Sequence, residues 1–425
     1  MSRMIGYSCI RCGTRHPADY AIDSRGCLRC FDKAPANLQV VYDEAGRHAD
    51  GGGLSARVPT LWHHADMLPC AAGEAVSLGE GLTPLLPVPA LGQELGVPNL
   101  LVKDEGRNPT WSHKDRFSTV AVSMARLQGA RVVATASSGN AGASLAAYAA
   151  RAGLSCVVVT FAGTAGPMLT QIRKYGATVV ALSEKADRWP LVAEGVRRLG
   201  WFATSPFHAP VVGSHPIGIE GYKTLAPEIV EQMGGKVPDW CVLPVCYGDA
   251  LFGLWEGFKE LHRRRTIDHL PRLLAAEVHG SLAAALAAKE DPIPDMPARF
   301  DTLAVSIGAT RSTFQALKAL RESNGAAVPV NNSGLIALQE RLAAREGIFA
   351  ELASVTPFAA IAEMRRRNVI AASDSVVALV TASGLKDVDR SSDAADAPPA
   401  FRSLAEAWAY LSRDEALCAA KTATA

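Results

Sequence analysis

Two pairs of cysteines near the start of the chain have the spacing of metal ligands. Cys9 and Cys12 form one CxxC pair, and Cys27 and Cys30 form a second pair after 14 intervening residues. Four thiolates at this spacing can surround one tetrahedral Zn²⁺ with bonds of about 2.3 Å. Because such a site leaves no open coordination position, we predict a structural zinc ion rather than a catalytic one.

A lysine with nucleophilic potential follows a predicted strand further along the chain. Lys114 lies in LLVKDEGRNPTWSHKDRFS (100–118), after a Pro-containing turn and at the start of a predicted helix. The positive end of a helix and the neighbouring Arg116 favour the uncharged amine, which attacks carbonyl groups to form imines. Lysines that begin surface helices are common, so these local features alone do not establish a catalytic lysine.

Two loops with the composition of ligand-binding turns follow other predicted strands. The loop SSGNAGAS (137–144) follows RVVATA, and CYGDALFG (246–253) follows CVLPV and opens a helix. Backbone N–H groups at such helix starts suit an anionic or planar ligand, and the second loop suits a phosphate. Each loop by itself is equally typical of an ordinary tight connection between a strand and a helix.

The elements that position these loops alternate between strands and helices. The short β-branched runs LLVKDE, ARVVATAS, SCVVVTF, ATVVALS, WCVLPV and LLAAEVH are separated by Ala-rich stretches of helical length. This alternation predicts an α/β fold with parallel sheets that are covered on both faces. Ligands of such folds bind at the carboxyl ends of the strands, where helices begin.

The composition excludes several kinds of partner. The 43 Lys and Arg residues balance 42 Asp and Glu residues, so the chain lacks the basic surplus that binds nucleic acid. No apolar run approaches the roughly 20 residues needed to span a bilayer, and MSRMIGYSC lacks the apolar core of a signal peptide. We therefore expect no nucleic-acid partner, no membrane partner and a cytoplasmic location.

Six ordered motifs resemble the threonine synthase branch of the fold-type II, tryptophan synthase β-like pyridoxal-phosphate enzymes. The motifs are GEGLTPL (79–85), NPTWSHKDR (108–116), SSGN (137–140), EGYKT (220–224), REGIFAE (345–351) and TASGLKD (381–387). The N-terminal cysteine module also resembles a zinc-ribbon-like module found on some members of this branch. The resemblance implies two doubly wound parallel-sheet domains with the cofactor, pyridoxal 5′-phosphate, in the cleft between them.

The chain is expected to have four parts. We predict a zinc-ribbon-like module at 1–40, a large cofactor-binding domain at 41–120 plus 205–390, and a small mobile α/β domain at 121–204. A linker and a C-terminal helix are predicted at 391–425. We also expect the protein to be a homodimer.

The resemblance implies roles for single residues. Lys114 would form a Schiff base with the cofactor and carry the Cα proton, and Asn140 would hydrogen-bond the phenolic oxygen of the cofactor. Thr381 would face the pyridine nitrogen as a neutral hydroxyl, which favours expulsion of a leaving group over transamination. The cofactor phosphate would be held by Cys246, Tyr247, Gly248, Asp249, Ala250 and Leu251. Substrate contacts would come from Ser137, Ser138, Gly139, Asn140 and His113.

The sequence departs from this family at positions that decide the substrate. At the position of Gly218 the family commonly has an arginine that grips the phosphate of O-phosphohomoserine, and at Gly213 it commonly has a serine. Ala141 stands where a threonine is frequent. Each charge-assisted hydrogen bond lost to a phosphate removes roughly 1.5 to 3 kcal/mol. We therefore expect a substrate other than O-phosphohomoserine.

Further departures flank the lysine and the phosphate loop. The family usually has Gly at Trp111 and at Phe117, and an aromatic residue at His113. His113 is either a second acid–base group or a histidine packed under the cofactor. Asp249 would repel the cofactor phosphate if it pointed inward, so we expect it to point away or to cap the following helix.

Three functions remain open at this point. The leading hypothesis is a lyase or replacement enzyme for a small amino acid, in which Cα deprotonation precedes β- or γ-elimination. Hydrolysis or addition of a second small nucleophile would complete the reaction, and the leaving group would be uncharged. The first alternative is a genuine threonine synthase with a relocated phosphate site, and the second is an inactive cofactor-binding paralogue that acts as a sensor or scaffold.

Overall fold

The computed structural model describes residues 4–43, 59–164, 166–391 and 398–413. The chain divides into a compact unit, Met1–Val388, and a small second unit, Asp389–Ala425. In the second unit the predicted C-terminal helix is present over Leu404–Leu411, and Ser403 caps its start. Parts of the predicted linker (392–397) and of that helix (414–425) lie outside the described residues.

The described residues form thirteen strands in three sheets. In chain order they are β1 (Met4–Cys9), β2 (Arg15–Pro17), β3 (Leu38–Tyr42), β4 (Leu85–Pro87), β5 (Leu100–Asp104), β6 (Val132–Thr135), β7 (Ser155–Phe161), β8 (Thr178–Leu182), β9 (Phe202–Ala203), β10 (Trp240–Pro244), β11 (Arg272–Glu277), β12 (Ala326–Pro329) and β13 (Val376–Val380). The sheet orders are β2-β1-β3, β12-β11-β10-β13-β5-β4 and β8-β7-β6-β9.

Helices connect most of these strands. The α-helices are α1 (Pro89–Glu94), α2 (Lys114–Leu127), α3 (Asn140–Ala152), α4 (Pro167–Lys174), α5 (Arg188–Leu199), α6 (Pro216–Ile219), α7 (Leu225–Gln232), α8 (Asp249–Arg263), α9 (Ser281–Ala288), α10 (Phe314–Glu322), α11 (Leu335–Glu346), α12 (Leu352–Arg366), α13 (Val388–Ser391) and α14 (Leu404–Leu411). Short 3-10 helices span Leu61–Met67, Ala72–Glu74, Glu105–Arg107, Lys185–Asp187, Glu220–Thr224, Val305–Ile307 and Gly384–Lys386. No helix of the described ranges is long and apolar enough to cross a membrane.

The six-stranded sheet is parallel except for its edge strand β4. Successive residues of its central strands face opposite sides, as strand geometry requires. Trp240 and Val242 pack into one apolar core, whereas Cys241 and Leu243 pack into another. The sheet is thus covered on both faces, and the predicted α/β fold class is confirmed.

The four-stranded sheet is entirely parallel, and all its strands lie within residues 121–204. The N-terminal sheet is antiparallel. Its strand β3 pairs with β1, with Leu38 opposite Cys9, so the expected module boundary at residue 40 falls inside a strand of the module's own sheet. The first residues of the chain are therefore tied to the segment that leaves the module.

Three adjacent strands of the six-stranded sheet, β10, β13 and β5, end at the same edge. The segment that carries Lys114 follows β5, the loop 246–251 follows β10, and Thr381 directly follows β13. The segment 137–140 follows β6 of the other sheet. Parallel strands thus bring together segments that are far apart in the sequence.

Candidate active site

A cavity of about 220 Å³ contains most of the side chains that the sequence predicted to share a site. Lys114 lies in its wall and is half-buried. Residues of the predicted set that line this cavity are His113, Lys114, Ser137, Gly139, Asn140, Cys246, Tyr247, Gly248, Asp249 and Thr381. Ser138, Ala250 and Leu251 do not line it, and Leu251 instead packs in the apolar core.

The residue after the lysine fixes the start of α2. The carboxylate of Asp115 accepts hydrogen bonds from the backbone N–H and Oγ1 of Thr110, at 2.6 and 2.5 Å, and from Oγ of Ser144 at 2.6 Å. Burial raises the pKa of Asp115 to about 6. Asp115 therefore joins the turn before Lys114 to helix α3.

Arg116 does not provide the free positive charge that the sequence suggested beside Lys114. Its guanidinium is fully buried and pairs with Glu105 at 2.6 Å and with Glu228 at 2.6 Å. These two carboxylates also raise the pKa of Arg116 against the effect of burial. Because two carboxylates compensate its charge, Arg116 anchors α2 to the large sheet rather than polarising the lysine.

Tyr222 is a hydrogen-bond partner of the lysine amine. Its hydroxyl accepts a hydrogen bond from Lys114 Nζ at 3.4 Å, and its ring stacks on His113 with 5.5 Å between ring centroids. Burial raises the pKa of Tyr222 well above its ordinary value, so the phenol is uncharged at neutral pH. Sequence reasoning placed Tyr222 in a family motif but gave it no role.

His113 is held between Tyr222 and the end of β13. Its backbone N–H donates to the carbonyl of Thr381 at 2.8 Å, and its Nδ1 lies 3.1 Å from the same oxygen. Only a protonated ring nitrogen can bond a carbonyl oxygen, so Nδ1 carries the hydrogen. Burial and the charge of Lys114 lower the pKa of His113 well below its ordinary value. The geometry supports the packed histidine over a second acid–base group.

Asn140 and Glu351 form a buried pair on the opposite wall of the cavity. Asn140 Nδ2 donates to Glu351 Oε2 at 2.7 Å, and Ser306 Oγ donates to the other carboxylate oxygen. The Oδ1 atom of Asn140 is buried without a hydrogen-bond partner among the described residues. A buried amide with an unpartnered oxygen and a second N–H is suited to a polar ligand.

The loop after β10 ends at the first turn of the 15-residue helix α8. Gly248 has φ 76°, and a Cβ there would lie 2.3 Å from Cβ of Ala316, so this position requires glycine. The first α8 amide with an intrahelical backbone acceptor is that of Phe252, which donates to Gly248 at 2.9 Å. The amides before it are in the first turn, where a helix leaves its N–H groups free to bind a phosphate.

Asp249 neither caps α8 nor offers free oxygens to the cavity. Its Oδ1 accepts from the backbone N–H of Ser214 at 3.0 Å and from Gln315 Nε2 at 2.5 Å, and its Oδ2 accepts from Ser214 Oγ at 2.7 Å. The helix has no side-chain cap hydrogen bond. Of the two arrangements expected for Asp249, the cap does not form, because partners from two distant segments occupy the carboxylate.

Comparison with known proteins identifies the family of this chain. A family model described as pyridoxal-phosphate dependent enzyme matches residues 76–382, well over half of the chain. The chain belongs to this family of pyridoxal-phosphate dependent enzymes. The threonine synthase of Methanocaldococcus jannaschii is 33% identical over 397 residues, covering 92% of this chain and 95% of that protein. The threonine synthase of Halalkalibacterium halodurans is 36% identical over 326 residues, covering 76% and 88%.

Solved structures show the same fold. Serine racemase from Dictyostelium discoideum has a TM-score of 0.59 at 22% identity and covers 72% of this chain and 92% of its own. Threonine deaminase isoform 2 from Solanum lycopersicum has a TM-score of 0.60 at 20% identity and covers 71% and 79%. The expected fold-type II architecture is confirmed.

The residues present fit pyridoxal phosphate. The side chains of Lys114 and Asn140 and the first turn of α8 all line one cavity, and the Asn140 amide oxygen has no partner among the described residues. Thr381 presents a neutral hydroxyl, which lies 2.8 Å from Ser354 Oγ. The cavity thus offers a nucleophile, a polar wall and a phosphate-binding helix start without any change of fold.

The four N-terminal cysteines also lie together. Their Sγ atoms are all within 4.8 Å of one another, with Cys9 and Cys30 at 3.9 Å and Cys12 and Cys27 at 3.7 Å. A tetrahedron with 2.3 Å zinc–sulfur bonds has edges of about 3.8 Å, whereas sulfur atoms in a disulfide are about 2.05 Å apart. The distances fit a shared metal ion and exclude disulfide bonds within this cluster.

Proposed function

We propose that this protein is a lyase or replacement enzyme that expels an uncharged β- or γ-substituent from a small amino acid. When bound, pyridoxal phosphate supplies the electron sink that makes Cα deprotonation feasible. Lys114 Nζ would accept and return the Cα proton, because it is the amine in the wall of the cavity. The neutral hydroxyl of Tyr222, 3.4 Å away, would orient that amine.

The observation that carries the choice of substrate is the packing of Phe117 against Gly218. An ideal Cβ at Gly218 would lie 2.4 Å from both Cε2 and Cζ of the Phe117 ring. Gly218 is the position at which the resemblance places the phosphate-gripping arginine. With Phe117 present, no side chain can start from residue 218 without displacing the ring.

The charges around the cavity agree with this choice. A neighbouring cavity of about 30 Å³ is lined by Lys114, Phe117, Tyr222 and Asp249, together with small and hydroxyl-bearing side chains. Among the described residues lining the two cavities, Lys114 is the only lysine or arginine. A phosphorylated substrate side chain would thus meet no dedicated counter-charge in the lining of these cavities.

The test is a comparison of leaving groups on the holoenzyme. Serine, threonine, O-acetylhomoserine and O-phosphohomoserine are added separately while the visible spectrum and the release of keto acid, acetate or phosphate are followed. We expect a spectral change and turnover with an uncharged leaving group. A higher kcat/KM for O-phosphohomoserine than for every uncharged compound would overturn the proposal.

Threonine synthase activity is the second candidate, and the names of the relatives favour it. The Methanocaldococcus jannaschii protein with that name aligns over 92% of this chain. This candidate requires a phosphate site elsewhere in the cavity, because residue 218 cannot supply it. Formation of threonine together with one phosphate per turnover in the same assay would establish it.

We also propose one structural Zn²⁺ bound by the four N-terminal cysteines, which the sulfur–sulfur distances support. A homodimer, a cytoplasmic location, a second small nucleophile and the domain boundaries given above stay predictions. The roles of Asn140, Thr381 and the phosphate loop belong to the proposal as well.

A further inference from the structure

A closed ring of hydrogen bonds joins the cysteine module to the loop that would hold the cofactor phosphate. Asn37 Nδ2 donates to the backbone oxygen of Ser214 and to Oε1 of Gln315, both at 3.1 Å. Ser214 donates to Asp249 from its backbone N–H and its hydroxyl. Gln315 Nε2 donates to Asp249 and, at 3.1 Å, to the backbone oxygen of Tyr247. The ring therefore includes Asp249 of the phosphate loop, and Gln315 also connects it to Tyr247 of the same loop.

Asn37 is itself held by the part of the module that carries the cysteines. Its backbone oxygen accepts from the N–H of Ile10 at 3.2 Å, in the turn between Cys9 and Cys12. The preceding carbonyl, that of Ala36, accepts from the N–H of Cys27 at 3.0 Å. Asn37 is 3% exposed and Gln315 is fully buried, so water does not compete for these bonds. The position of the cysteine turns thereby determines the position of the Asn37 amide.

Gly213 shows how closely the ring is packed. It has φ 135°, and a Cβ there would lie 2.6 Å from Asn37 Nδ2 and 2.6 Å from Gln315 Nε2. The resemblance places a serine at this position. The glycine is needed here because the two amide side chains of the ring occupy the space that a serine side chain would take.

We propose that Asn37 is a positioning residue for the cofactor-phosphate loop, acting through Ser214, Gln315 and Asp249. The inference rests on the cofactor site of the proposed function. Without the Asn37 amide, Gln315 loses the partner that orients its Nε2 towards Tyr247 and Asp249. The start of α8 then moves relative to the other walls of the cavity, and the affinity for a phosphate-bearing ligand falls. The cysteine module is on this view a structural component of the cofactor site.

The test compares Asn37→Asp with Gln39→Glu in the full-length chain. The first substitution replaces the donating amide with a carboxylate oxygen that faces two acceptors, Ser214 O and Gln315 Oε1. The second makes the same chemical change two residues away, where the Gln39 amide donates to Ser8 inside the module at 3.2 Å and to no other described residue. Dissociation constants are measured for pyridoxal phosphate and for pyridoxal, which lacks the phosphate.

We expect Asn37→Asp to weaken pyridoxal phosphate binding at least tenfold and pyridoxal binding less than threefold. Gln39→Glu should change neither dissociation constant more than twofold. Equal weakening of both ligands, or none, in Asn37→Asp overturns the inference. If that variant fails to fold, Asn37→Ala removes the same donor without adding a charge. The weakening of pyridoxal phosphate binding relative to that of pyridoxal binding is then the deciding quantity. If the parent chain binds the two ligands equally well, the proposed cofactor site fails, whatever the variants show.

Discussion

The ring of Phe117 and the bare backbone of Gly218 fill one space between α2 and α6. The ring atoms lie 2.4 Å from the point where a Cβ of residue 218 would be. The two residues therefore form a matched pair, each of which restricts the size of the other. At the position where the resemblance implies a long cationic side chain, this chain thus has the ring of Phe117 packed against a glycine.

Gly218→Ala is expected to lower the free energy of unfolding by about 1 to 3 kcal/mol, because the added methyl overlaps the Phe117 ring. The double variant with Phe117→Gly should be destabilised less than the sum of the two single variants, by at least about 1 kcal/mol. Denaturant unfolding of the singles and the double measures this coupling. Gly195→Ala is the matched control. Its added Cβ would lie 2.1 Å from the Trp201 ring, and neither residue lines the cavity. The destabilisation by Gly195→Ala should add to that by Phe117→Gly. If Gly195→Ala and Gly218→Ala were coupled equally to Phe117→Gly, the proposed packing of Phe117 against Gly218 would be contradicted.

Lys114→Ala should abolish the visible absorbance of lysine-bound cofactor and lower kcat by about 10² to 10⁴ or more, because the proton acceptor is lost. Absorbance spectra of the purified protein and steady-state kinetics are the measurements. Lys236→Ala, at an exposed lysine, should match the parent in both. A parent-like spectrum in Lys114→Ala would show that another lysine binds the cofactor.

Tyr222→Phe should lower kcat by about two- to tenfold, which corresponds to one hydrogen bond of about 0.5 to 1.5 kcal/mol to the lysine amine. Tyr148→Phe removes another buried hydroxyl, 2.8 Å from Glu80 and outside the cavity. This control should lose stability but keep its kcat at temperatures where it is folded. Parent-like kcat in Tyr222→Phe would remove the hydroxyl from the mechanism.

Asp115→Asn should remove one contribution to stability that falls as the pH rises from about 4 to about 6. Burial raises the pKa of Asp115 to about 6, so the folded chain retains this proton to higher pH than the unfolded chain. Its contribution is fully present below about pH 4 and is lost as the pH rises through about 6, at up to about 1.4 kcal/mol per pH unit. Urea unfolding of parent and variant from pH 4 to 7 gives the difference. Parallel pH profiles would show that Asp115 titrates normally in the folded chain.

Metal analysis should find one zinc ion per chain, and Cys30→Ser should lose it because three thiolates bind zinc far more weakly than four. Cys156→Ser, in β7 of the four-stranded sheet, is the control and should retain the metal. If Cys30→Ser retained one zinc ion per chain, the ion would not be bound by the four N-terminal cysteines.

The sequence predicts the strands from local patterns, whereas the grouping of Lys114, Asn140 and Thr381 rests on the family resemblance. Apolar runs mark the parallel strands, and residues just after such strands meet at one edge of a sheet. Tyr222 and Glu351 already stood in the family motifs, so a search of those motifs for polar side chains could have found them.

Other features depend on long-range partners that no local pattern contains. Arg116 was read as a free charge because its partner Glu228 lies 112 residues further on. For Asp249 the sequence leaves open a helix cap or an orientation away from the phosphate, because its partners Ser214 and Gln315 come from other segments. Such errors fall on buried polar side chains, whose behaviour depends on what the fold packs against them.

The hydrogen bond between Asn37 and Gln315 joins residues that are synthesised 278 positions apart. At about 5 to 20 residues per second, roughly 15 to 55 s of translation separate them. The cysteine module is made before α10, yet its bond to Gln315 can form only after α10 has left the ribosome. The contact between the cysteine module and the phosphate loop is thus a late event in the life of the nascent chain.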